Sequence, residues 1–235
     1  EAKKAARRDR QLTPEEIEEE VQKLGGIDGV TERKAARQIA ELYSKGSMYA
    51  KAAKAWKKVY EIDDSYVEAL DNAGVNTIKY YDQALNKARK AGDQAKVDEI
   101  STKKRDFELR DLTRQSKARP NDNDVKFRLG NALFEIGKFK EAAGQFQKAM
   151  KEPKLGKKAG LALARSFFEL GQFDVAISQL DRILSDDSLD DENRLEALYW
   201  KGKALTAKGD ADEAKKIYVS IYNENIEFRD VAQLI

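Results

Sequence analysis

Ala142 and Ala176 stand 34 residues apart, and the residues around them match in register. The first block reads RLGNALFEIGKFKEAAGQFQKAM and the second LALARSFFELGQFDVAISQLDRIL. A third, WKGKALTAKGDADEAKKIYVSIY around Ala214, follows 38 residues later. A repeat of this length is a pair of helices that buries its apolar stripe only by stacking on the next pair. Such a chain presents an extended surface, so binding is the first function to seek and catalysis the second.

Composition agrees with an all-α fold. Charged residues make up 37% of the chain, and Pro accounts for only 3 of 235 residues. The repeated blocks are rich in the strong helix formers Ala, Leu, Lys, Glu and Gln. The formal charge of +2 gives no overall field toward nucleic acid. The basic run Lys103-Lys104-Arg105 sits among acids, as a solvated helix face does. The absence of Cys and His removes thiolate and imidazole chemistry and the usual zinc ligands. The carboxylates Asp186, Asp187, Asp190, Asp191 and Glu192 form a turn without the spacing of a calcium loop. We therefore expect no enzyme, no metal and no cofactor.

Two recurring features define each unit. Gly130, Ala164 and Gly202 in the first helices, and Ala142, Ala176 and Ala214 in the second, allow close approach of helix axes. Larger residues fill the gaps, among them Leu129, Leu133 and Phe146 in one unit and Leu163, Phe167 and Leu180 in the next. Gly137, Gly171 and Gly209 follow helix ends, where a left-handed residue is wanted.

An earlier stretch, ARQIAELYSKGSMYAKAAKAWKKVYEIDD, fits the same register if Ala52 matches Ala142, with Trp56 in place of Phe146 and Ser47 in place of the turn Gly. The 90 residues between those alanines leave room for one oversized unit, read as a hairpin of long helices turning at 91–94. The expected order is therefore a basic segment and capping helix over 1–30, a repeat-like unit over 31–64 and an elongated hairpin over 65–119. Units over 120–156, 157–194 and 195–235 follow, the last including a closing helix at Phe228–Ile235. Thr13-Pro14-Glu15-Glu16 starts the capping helix with a capping box, and GGIDG at 25–29 breaks it.

The pattern of small residue, large hydrophobic, turn Gly, Ala and large aromatic resembles the tetratricopeptide repeat. The resemblance is strong over 123–156, 157–190 and 195–228, and weaker over 33–64. The whole order is similar to bacterial repeat proteins of this kind. It implies a right-handed superhelical solenoid of antiparallel helix pairs, with one elongated hairpin, acting as an adaptor or scaffold for a protein partner. In this family the first helix of each unit lines the concave face. That carries the peptide-binding role to Phe127, Asn131 and Phe134, then Leu161, Arg165 and Phe168, then Tyr199 and Lys203. An apolar row beside a polar-to-basic row suits an extended or helical peptide with an acidic feature. Phe134 and Phe168 have a second reading, packing between neighbouring units. The family's carboxylate clamp is not expected, because Phe127, Ala162, Glu196 and Trp200 stand at four of its positions.

The alternative to an adaptor is a self-assembling structural module, in which the long hairpin or an open end of the stack pairs with a second copy. No apolar run reaches the length of a membrane helix. A cytoplasmic location is favoured, with tethering through a segment preceding the basic start as the alternative.

Overall fold

The computed structural model describes residues 12–235; the basic start at 1–10 lies outside the described residues. All regular structure among these residues is helical. The helices are α1 (Pro14–Lys23), α2 (Gly26–Gly29), α3 (Arg33–Lys45), α4 (Tyr49–Ile62), α5 (Glu68–Lys90), α6 (Gln94–Ala118), α7 (Asn123–Glu135), α8 (Phe139–Ala149), α9 (Gly156–Glu169), α10 (Phe173–Leu184), α11 (Asp191–Lys208) and α12 (Ala211–Glu224). A 3₁₀ turn at Val231–Gln233 ends the chain. Two compact units divide between Asp111 and Leu112.

In the first unit, α1 begins with the expected capping box. The Glu16 amide donates to Thr13 Oγ1 at 3.3 Å, and the Thr13 amide donates to Glu16 Oε2 at 2.9 Å. One face of α1, Ile17 and Val21, joins a core with Ile39, Tyr43, Trp56 and Val59 from α3 and α4. The Tyr43 hydroxyl donates to Glu18 at 2.9 Å, and Lys51 from α4 bonds the same carboxylate. Burial and this acid together push the Tyr43 hydroxyl up to about 12. The GGIDG stretch does more than break α1. Gly25 and Gly26 take positive φ and start the short helix α2, which returns the chain to α3.

The long helices α5 and α6 are linked across the hairpin by Lys104 and Asp82 at 2.7 Å and by Tyr81 and Phe107, whose ring centroids are 6.2 Å apart. The two helices also come close at Gly74, where a Cβ would stand 2.4 Å from an Asp111 carboxylate oxygen.

In the second unit, α7 packs on α8, α9 on α8 and α10, and α11 on α10 and α12. The small residues lie where the pattern requires. Ala142, Ala176 and Ala214 are essentially inaccessible. Gly130 sits under the Phe146 ring and Gly202 under the Tyr218 ring, each close enough that a Cβ would collide. Phe146, Leu180 and Ile221 are fully enclosed. The turn residues also repeat: the Gly137 amide donates to the Phe134 carbonyl and the Lys138 amide to the Leu133 carbonyl, and Gly171 and Gln172 do the same one unit later. This pair of bonds satisfies the last carbonyls of a helix around a left-handed residue.

The acidic run at 186–192 builds the turn. Asp186 accepts from the amide and hydroxyl of Ser188, and Asp190 accepts from the Asn193 amide to cap α11. The closing segment differs from the expected helix. Only a single 3₁₀ turn forms, yet it places Val231 at zero exposure in the cluster with Leu195, Tyr199 and Tyr218. Arg229, just before the turn, takes φ +50°.

Candidate functional site

Three of the sequence-derived positions meet at one cleft. Asn131 and Phe134 on α7 and Arg165 on α9 line a depression of about 580 Å³, with Glu135, Gly137, Phe139 and Glu169 completing it. Asn131 is exposed, and Phe134 and Arg165 are half-buried. Phe139 stands against Phe134 in an edge-on contact at 5.0 Å, so the two rings form one apolar wall.

Arg165 is the chemical centre of this cleft. Its guanidinium carbon lies 5.2 Å from the Phe134 ring centroid and 4.8 Å from that of Trp200. Two aromatic faces from the neighbouring first helices thus clamp it, and each supplies a cation–π attraction. The Arg165 Nε is buried without a hydrogen-bond partner. Burial pushes the guanidinium below its ordinary value, the carboxylates of Glu196 and Glu169 pull it back up, and Arg229 adds to the lowering. An arginine does not shed its proton under such pressure, so the result is a desolvated cation short of compensating bonds. Groups in that condition are costly unless something supplies the missing acceptor.

The other positions have different surroundings. Leu161 is 6% exposed and packs with Ala164, Leu180 and Ala197. Tyr199 is 7% exposed; its hydroxyl donates to Asp230 at 2.8 Å, and burial with that acid pushes it up to about 12. Both side chains lie inside the stack, because the following helix or the closing segment covers them. Phe127 lies 5.7 Å from Phe146, within its own unit. Phe168 meets Trp200 of the next unit edge-on at 5.4 Å and lies tilted against Phe173 at 5.6 Å. Phe134 likewise reaches into the next unit through Arg165, so the second reading of these two phenylalanines, packing between units, describes part of what each does. Lys203 is half-buried and lies outside the cleft lining.

Several residues of the site were not singled out from sequence. Phe139 had a signal, since an aromatic recurs two residues after the turn Gly as Phe139 and Phe173. Trp200 replaces a clamp residue of the family, a substitution that here supplies a ring for Arg165. Glu196 accepts from the Trp200 indole at 2.9 Å and from Arg229 at 2.8 and 3.0 Å, a contact across 33 residues with no local sequence mark.

Residues 108–154 and 161–219 match the family model of the tetratricopeptide repeat. No curated protein matches the sequence. Among solved structures, the chain is similar to YrrB, described as a TPR protein with an unusual peptide-binding site. The TM-score is 0.60 at 16% identity, over 92% of this chain and 96% of that one. It is also similar to the MamA protein, with a TM-score of 0.56 at 20% identity, over 83% of this chain and 92% of that one. At these identities the likeness establishes the fold. Among the described residues no helix is long and apolar enough to cross a membrane.

Proposed function

We propose that this tetratricopeptide-repeat protein is an adaptor that holds a peptide segment of a partner protein, with an acidic side chain of that segment seated against Arg165. The observation that carries the reading is the Arg165 guanidinium itself: gripped between Phe134 and Trp200, open to a cleft, and with Nε lacking an acceptor. A carboxylate entering the cleft meets the guanidinium in a partly desolvated setting, where charge-assisted bonds are strongest. Asn131 offers both a donor and an acceptor to the peptide backbone, and the Phe134–Phe139 wall accepts an apolar neighbour.

Glu135 and Glu169 also line the cleft, both on exposed residues. Solvent weakens their repulsion of a bound acid more than it weakens the attraction of half-buried Arg165. They favour a ligand with a basic residue close to its acid. The same geometry argues for binding over catalysis, since the cleft holds no nucleophile beside a base.

An immobilised array of decapeptides tests this. One set carries Glu or Asp between apolar residues, and its matched set carries Gln or Asn at the same places. The protein should prefer the acidic set, and R165E should abolish the preference while helical circular dichroism is unchanged. Equal capture of both sets, or a preference that survives R165E, overturns the reading.

A further inference from the structure

Glu196 lies at the edge of the same indole that Arg165 stacks upon. Its Oε1 accepts from Trp200 Nε1 at 2.9 Å, while the Arg165 guanidinium carbon is 4.8 Å from the Trp200 ring centroid. An anion so close to a cation short of acceptors would normally pair with it. Here the carboxylate is engaged elsewhere. Arg229 Nε donates to Glu196 Oε2 at 3.0 Å, and Arg229 Nη2 reaches both carboxylate oxygens at 2.8 Å.

Arg229 is itself held firmly. Its guanidinium lies over the Tyr199 ring at 5.0 Å and near the Phe228 ring at 5.9 Å. On one side Phe228 packs against the core that Tyr199 belongs to, and on the other Asp230 accepts from the Tyr199 hydroxyl. Its backbone sits at φ +50°, a conformation that costs a non-glycine residue free energy and persists only when its surroundings over-determine it.

We infer that Arg229 is a positioning and specificity-determining residue for the Arg165 cleft: by holding Glu196 it keeps an internal anion from occupying the place of the ligand's carboxylate. The inference rests on the acidic-peptide reading above. Arg229 thus acts in two ways. It removes a competitor that is tethered, and therefore present at high effective concentration. It also adds a second positive charge to the field at Arg165. Without Arg229, Glu196 keeps only its bond to Trp200 and turns toward Arg165, closing the site from within.

The test is a titration of wild type and three variants with the acidic decapeptide that wild type captures most tightly from the array, fluorescein-labelled and read by anisotropy. R229Q should bind about tenfold more weakly, a coupling of ordinary size. E196Q should bind no more weakly than wild type. The combination E196Q with R229Q should recover most of the loss, because the competing anion is gone. This rescue separates positioning from a folding defect, since the double variant carries the same change in the closing segment. Unaltered binding by R229Q, or a double variant as weak as R229Q alone, overturns the inference while leaving the acidic-peptide reading standing. If wild type captures no acidic peptide preferentially, both fall.

Discussion

Gly130 and Phe146 offer a direct measure of how tightly the repeats are packed. A Cβ on Gly130 would lie 2.6 and 2.7 Å from two Phe146 ring carbons, well short of the 3.4 Å at which ordinary contact begins. The ring has little room to retreat, because Phe146 is at zero exposure and stands against Phe127. Overpacking of this kind costs ~1–3 kcal/mol. Replacing a mid-helix Gly by Ala returns about 1 kcal/mol through backbone propensity. G130A should therefore destabilise the protein by about 1 kcal/mol, against the gain that helix propensity alone would give. The middle unit shows the remedy. There Ala164 takes the Gly130 position and Leu180 the Phe146 position, and both are buried. F146L alone leaves a void beneath Gly130 and should cost roughly 1 kcal/mol on the scale of large-to-small core changes. G130A with F146L recreates the Ala–Leu pair, so the two changes should couple favourably by ~1–2 kcal/mol. Thermal and urea melts of the four proteins measure the cycle, with ~2–4 °C per kcal/mol expected at this chain length. A G130A protein as stable as wild type, or a strictly additive double variant, refutes the close-contact argument.

Two further outcomes follow from the same structure. Ser47 occupies the turn position held by Gly137, Gly171 and Gly209 and, like them, takes a positive φ, +57°. S47G should raise stability by ~0.5–1 kcal/mol through relief of that backbone cost, and a lower urea midpoint would contradict this. The Tyr199 hydroxyl, pushed up to about 12 by burial and Asp230, stays protonated where an unfolded tyrosine ionises. Its stabilising contribution is complete below about pH 10, the ordinary tyrosine value, and is lost as pH rises toward 12. Y199F should flatten the fall in melting temperature between pH 9 and 11.5; an identical slope would show that the buried hydroxyl contributes nothing to it.

The helical stack was legible because its causes are local. Gly130, Ala142 and Phe146 with their counterparts one unit on recur at a fixed spacing, and each implies a close helix contact whatever else surrounds it. The capping box at Thr13 and Glu16 is equally local. Ser47 is the informative exception: the residue departs from the pattern, but the backbone does not, because the turn's hydrogen bonds impose the left-handed conformation. The Ser47 amide donates to Ser44, and the Met48 amide to Tyr43, in the arrangement seen at the later glycines. Register across the unit outweighed the preference of one side chain.

The candidate site was only partly legible, and the reason is visible in what happens to equivalent positions. A first-helix residue on the inner face is finished by whatever comes next in the chain. Phe134 meets Arg165 from the following unit, Phe168 meets Trp200, and Arg165 also meets Trp200. Over Tyr199 the segment after α12 takes the place of the following unit, laying Arg229 on the Tyr199 ring much as Arg165 lies on Phe134. Equivalent positions in the repeat therefore end in unlike environments: Asn131 exposed on the cleft, Arg165 half-buried between two rings, and Lys203 outside the cleft lining. The repeat pattern identifies the face but not which of its residues remain open, because that depends on the length and identity of the next covering element. Within the second unit, the four-residue lengthening before α11 and the 3₁₀ turn after α12 are two places where the helix pairs depart from a regular array. Glu196, Trp200 and Arg229 all lie between them: the Trp200 ring faces Arg165, and Glu196 is held by Trp200 and Arg229. The regular helix pairs thus supply the cleft lining itself, while the ring that clamps Arg165 from the other side, Trp200, comes from the less regular stretch that follows, together with Glu196 and Arg229.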